Sequence, residues 1–60
     1  MRLGQKVSVP VLGGELVSRI VTQVIDNIVV VSTEEEVEAA TRESRDPVGV
    51  GYHECDVSAA

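Results

Sequence analysis

Thirteen of the sixty residues are valine, three are isoleucine, and Tyr52 is the only aromatic side chain. Branched Cβ atoms restrict χ1 and pack well on a pleated surface, so a chain of this kind is driven towards small β-structure. It also lacks the rings that usually build binding surfaces. Sixty residues make one domain at most, and a domain of that size buries only about 60% of the surface its unfolded chain exposes. Small domains often add a disulfide, a metal or a partner to such a core. A lone cysteine, Cys55, excludes an internal disulfide, and no Cys/His spacing of the zinc type replaces it. Association with another chain, including a copy of itself, is the remaining device.

The single unpaired cysteine suits a reducing cytosol. Residues 1 to 15 contain Gly4, Lys6, Pro10, Gly13 and Gly14 and form no continuous apolar segment of the signal-peptide kind. No apolar run approaches the ~20 residues that span a bilayer. These features lead us to expect a cytoplasmic protein without a membrane partner. Charge is divided unevenly. Arg2, Lys6 and Arg19 against Glu15 and Asp26 leave residues 1 to 33 at +1, whereas Arg42 and Arg45 against eight acidic groups leave residues 34 to 60 at −6. Neutralising a phosphate backbone requires clustered Lys and Arg, so a nucleic-acid partner is not expected.

From Lys6 to Val11 the residues alternate, with Val7, Val9 and Val11 on one side and Lys6, Ser8 and Pro10 on the other. Period 2 with a polar face predicts a half-buried strand, and Pro10, which cannot donate a ladder hydrogen bond, belongs at an edge or end. Gly13-Gly14 predicts a turn. Alternation fails between Leu16 and Ile25, where Ile20-Val21 and Val24-Ile25 are adjacent apolar pairs. One bulge near Thr22-Gln23 would restore Val21 and Val24 to the same side. Asp26-Asn27 predicts a two-residue hairpin loop. The returning strand Ile28-Val29-Val30-Val31 is apolar on both faces, so its second face needs a cover from the helix or from another molecule.

Thr33 followed by Glu36 predicts a capping box, with Glu34, Glu35 and Glu36 in a first turn whose dipole favours them. Glu38 and Arg42 stand at i,i+4, and Asp46-Pro47 ends the pattern. A helix over about 34–44 follows, with a thin inward stripe of Val37, Ala40 and Thr41. Val48 and Val50 alternate with Gly49 and Gly51 in a short strand, Tyr52 to Asp56 reads as a turn, and Val57 begins a brief closing strand. We expect one domain over residues 1–57 and a frayed tail over 58–60.

Arg19-Ile20-Val21-Thr22-Gln23-Val24, then Asp26-Asn27 and Ile28-Val29-Val30-Val31, resembles the central hairpin of SH3-like small barrels. That resemblance implies a mainly β fold of about five strands, here with a helix inserted between strands 3 and 4, and it implies no activity. The expected core is Val7, Val9, Val21, Val24, Ile28, Val30, Val37, Ala40 and Val50. A weaker resemblance, carried by Lys6-Val7-Ser8-Val9-Pro10 and the acidic segment after Thr33, is to swapped-hairpin antitoxins. It implies a dimeric β-half and an acidic partner-binding segment, although the β-half has few of the basic residues with which those proteins read DNA.

His53-Glu54-Cys55-Asp56 gathers four groups able to ligate a metal or do chemistry, and His53 and Cys55 share a face of an extended segment. A tetrahedral site needs ligands from separate segments, and there is no second Cys or His, so a polar turn is the plainer reading. Arg42, Arg45 and Asp46 suit either an anion or pairing along the helix. Gly13-Gly14 lacks the Lys and Ser/Thr of a phosphate loop. An aromatic groove for proline-rich peptides needs several rings, and the chain has one. We therefore expect no enzyme, no cofactor and no metal. The expectation is a bacterial protein-interaction module, self-associating or accessory to a larger complex, with Ile25, Val29, Val31, Glu35 and Glu36 as partner contacts. The alternative is an antitoxin-like or nucleic-acid-associated regulator.

Overall fold

Alternating valines make Lys6–Pro10 strand β1, and the computed structural model, which describes residues 2–59, pairs it antiparallel with β2, Leu16–Ile25. The turn between them uses Gly13 and Gly14 at φ +93° and +81°, values that a side chain would oppose. Val11 N–H donates to Glu15 O at 2.9 Å and closes it. Strand β3, Ile28–Ser32, returns through the Asp26-Asn27 loop, where Asp26 takes a left-handed φ of 52°. Helix α1, Glu34–Glu43, follows, then β4, Val50–His53, a single 3₁₀ turn over Glu54–Asp56, and β5, Ser58–Ala59. The five strands form one antiparallel sheet in the order β4-β3-β2-β1-β5. Among the described residues no pairing joins β4 to β5, so the sheet is not closed into a hydrogen-bonded ring. The fold is mainly β with one short helix.

The expected bulge is present. Val21 faces Val31 and Gln23 faces Val30, which leaves Thr22 as the extra residue and puts Val21 and Val24 on one side of the sheet. Paired residues of antiparallel strands share a face. Val29 and Val31 therefore join Val21, and with Val7, Val9 and Val57 they form the buried cluster, against which Val17 and Tyr52 pack.

The structure corrects the expected core at several positions. Val29 and Val31 are 1% and 3% exposed and point inward, whereas Val30 lies on the opposite face and is half-buried. Val24, opposite Val29 near the hairpin end, is 41% exposed, Ile28 lies on the other face with Val30 and is 39% exposed, and Val50, on an edge strand, is 60% exposed. Val37 is half-buried, while Ala40 is buried as expected. Val57, just after the 3₁₀ turn, is a core residue. The tail differs too: Ser58 and Ala59 pair with Ser8 and Val7 as β5, so the expected fraying over 58–60 does not hold for those two, and Ala60 lies outside the described residues.

The second face of β3 is covered from within the chain. Helix α1 packs against β2 on the face opposite the valine cluster. Ala40 is buried without belonging to that cluster, and Lys6, on the reverse side of β1 from Val7, reaches Glu34 at 3.1 Å. Thr33 Oγ1 accepts from Glu36 N–H at 3.1 Å at the start of the helix. At its end Ser44 adopts φ 53°, and Arg45 N–H and Ser44 N–H donate to Ala40 O and Thr41 O, which is the Schellman pattern. The reversed chain then crosses the back of β3. Ser32 Oγ donates to Val48 O at 2.9 Å, and a Cβ built on Gly49 would stand 2.6 Å from Val31 O and 2.8 Å from Val30 Cγ1. Only glycine fits that crossing.

Two stability measurements test this packing. Val29→Ala should cost about 2 kcal/mol and Val30→Ala less than half of that, read by urea denaturation; the reverse order would mean that β3 shows its other face to the core. Gly49→Ala should cost roughly 1–3 kcal/mol, because its Cβ meets main chain that cannot swing aside.

Candidate functional site

Glu36 looked from its position like part of an acidic strip, but its carboxylate is already engaged. Arg45 Nη1 donates to Glu36 Oε2, Arg45 Nη2 donates to Oε1 at 3.3 Å, and Val48 N–H donates to Oε2 at 2.8 Å. Arg45 Nε also donates to Glu43 Oε1 at 3.0 Å. The hydrogen bonds from Arg45 and from the Val48 amide pull the Glu36 carboxyl from an ordinary 4.5 down to about 2. Its hydrogen bonds to Glu36 and to Glu43 push the Arg45 guanidinium further up. Glu36 thus joins the first turn of α1 to its exit and to the chain entering β4. Because its carboxylate points to Arg45 and Val48, the capping box predicted with Thr33 is made on one side only.

This clamp accounts for two of the expected sites at once. Arg45 is already paired with Glu36 and Glu43, so neither Arg45 nor Glu36 is an unpaired charge available to an anion or a partner. Glu34 pairs with Lys6, while Glu35 remains exposed. Glu38–Arg42 is not among the ion pairs of the described residues. Lys6 and Arg19 do line one depression of about 390 Å³, but Glu34 and Glu35 line it as well, so its charge is mixed.

His53 is the N-terminal cap of the 3₁₀ turn. Its Nδ1 accepts from Cys55 N–H at 3.2 Å, and since an amide N–H can only donate, Nδ1 carries no proton. Its Nε2 stands 2.9 Å from Asn27 Nδ2. The imidazole therefore binds two strand ends together, with both nitrogens occupied. Cys55 is exposed, and no group of three or more His, Cys, Asp and Glu among the described residues is placed to hold a metal.

What remains is surface. Of the expected partner contacts, Val29 and Val31 are in the core, because β3 turns them inward, and cannot meet a partner. Ile25 is 50% exposed and stands beside Ile28 at the hairpin end. Leu12 is wholly exposed at the β1–β2 turn, Leu16 is exposed opposite Pro10, and Val48 and Val50 are 74% and 60% exposed on and before β4. Val50, expected in the core, instead lies on the β4 edge. The readable signal was the composition of Val50–His53, a strand with neither proline nor a charged side chain. No helix among the described residues is long and apolar enough to cross a membrane. No protein-family model, curated protein or solved structure matches the chain.

The clamp makes a pH prediction. The depressed folded-state pKa of Glu36 means that its contribution is full above about pH 4.5 and is lost as pH falls towards about 2. Glu36→Gln should lower stability at neutral pH and flatten the loss between those values, measured by thermal denaturation of both proteins across the acid range. Parallel curves would show that Glu36 does not carry it.

Proposed function

We propose that the protein is a non-catalytic interaction module that acts by docking apolar β-surface against another protein, either a copy of itself or a component of a larger complex. The observation that carries this reading is the set of branched aliphatic side chains left uncovered: Leu12, Leu16, Ile25, Val48 and Val50 are each at least half exposed in a chain with very few large apolar residues to spare for its core. Isolated surface aliphatics are ordinary. Here they concentrate on strand ends and on an unpaired edge, where another strand or an apolar groove can reach them. The polar groups that might have supported chemistry, Glu36, Arg45 and His53, are bonded to one another or to main chain within the fold.

Sedimentation of the intact chain across low micromolar to millimolar concentration, together with affinity capture from cell extract, tests the reading. The expected result is self-association, or capture of a defined protein at a stoichiometric level, reduced by a lysine at one at least of the two exposed positions Ile25 and Val50. A monomer at every concentration that captures nothing dependent on those residues would overturn it.

A further inference from the structure

We infer that the outer edge of β4 pairs antiparallel with the same edge of a second copy of this chain, joining two five-stranded sheets into one. This inference rests on the interaction reading above and names its surface. It starts from hydrogen-bond parity. Ile28 faces His53 in the β3–β4 ladder, and the next pair outward is tied by Glu54 N–H to Asn27 O at 2.8 Å. Bonded and non-bonded pairs alternate along an antiparallel ladder. Tyr52 and Val50 therefore turn their main-chain groups towards β3, while Gly51 and His53 turn theirs out from the sheet. Nothing among the described residues accepts or donates along that outer side as a strand.

The two ends of the sheet are not equivalent. The β1 side is shielded: β5 pairs with Val7 and Ser8, and the rest of β1 ends in Pro10 and begins with the charged Lys6. Proline, charge and a short covering strand are the usual guards against edge pairing. Strand β4 has none of them, and Val50 beside its free edge is 60% exposed.

The sequence of β4 selects a second copy as the occupant. An outward-bonding residue can lie on a two-fold axis, and Gly51 there faces Gly51 of the other copy with no side chain to obstruct the approach. Val50 then falls opposite the other copy's Tyr52, and Tyr52 opposite its Val50, on the side of the sheet that carries the valine cluster. Non-bonded pairs bring side chains closest, and an aromatic ring against a β-branched residue is a favourable cross-strand pair. Charge agrees. Each copy carries a net −5, yet β4 has no charged side chain, and in this register Glu54 lies opposite Val48. Four-residue strands make a contact at the small end of specific interfaces, so the dimer should dissociate readily on dilution.

The test uses the full chain. Sedimentation equilibrium should show a monomer–dimer exchange that Val50→Lys weakens by about tenfold or more and Ile25→Lys leaves nearly unchanged. A chemically synthesised Gly51→sarcosine chain, which deletes the outward N–H without adding a Cβ, should weaken it likewise. Amide exchange at Gly51 and His53 should slow as concentration rises. If association persists in the Val50 and Gly51 variants and disappears with Ile25→Lys, the β4 pairing is overturned while the interaction reading stands. A wild-type chain monomeric at millimolar concentration also overturns the pairing, and capture of a different protein in the same preparation would keep the broader reading. Circular dichroism of each variant separates lost pairing from lost folding.

Discussion

Where Thr22 bulges out of β2, two residues of that strand span the place of one, and everything between the bulge and the hairpin changes side. Without the bulge Gln23 would pair with Val29 on the core side and Val24 would point away from it. With it, Val21, Val24, Val29 and Val31 share a face, and the polar Gln23 goes to the other side with Val30. The core depends on this single insertion, because the valine of β1 and the valine of β3 meet only through the register of β2. A one-residue slip would reverse every side chain of the returning strand.

Fixing that register leaves β3 apolar on its outer face, and the chain answers with main chain in place of side chains. Helix α1 reaches β2, and the segment after it passes so near Val30 and Val31 that position 49 has no space for a Cβ. The passage is held at several points: Ser32 to the Val48 carbonyl, Glu36 to the Val48 amide, and Arg45 back to Glu36. Exposed ion pairs taken singly are worth about 0–1 kcal/mol. Here the same carboxylate also satisfies a main-chain amide, so losing it frees both the helix exit and the approach to β4. The short acidic segment of the helix is thus in part structural, which its composition alone did not reveal.

Local features were legible in the sequence: the alternation of β1, the glycine turn, the two-residue hairpin, the bulge and the Thr33 cap all depend on residues within a few positions of one another. The failures share a cause. Ile28 to Val31 gives no sign of which face looks inward, because both are apolar, and the choice is made by β2. Val50 alternates with glycine as a half-buried strand does, but burial on that side needs a further strand that this sheet lacks. Val57 sits after a polar stretch and reaches the core only because the 3₁₀ turn redirects it. The partners of Glu36 lie nine and twelve residues away and come within reach through the reversal at Ser44, where a serine takes a conformation more usual for glycine.

The scarcity of aromatic rings links these observations. A valine covers little area, so a core of valines needs contributions from most of the sheet and still leaves aliphatic residues at its ends. Larger rings could have reached over those ends; Tyr52 is the only one available, and it packs against the cluster. The strand that carries Tyr52 is meanwhile anchored on both sides, by Glu36 and Ser32 before it and by His53, bridging Asn27 and Cys55, after it. An edge strand ordered in advance by its own fold loses less conformational entropy when it pairs than a flexible segment does. The polar contacts that hold the β3 cover in place therefore also present the β4 edge in extended form, and for this chain stability and recognition draw on the same few bonds.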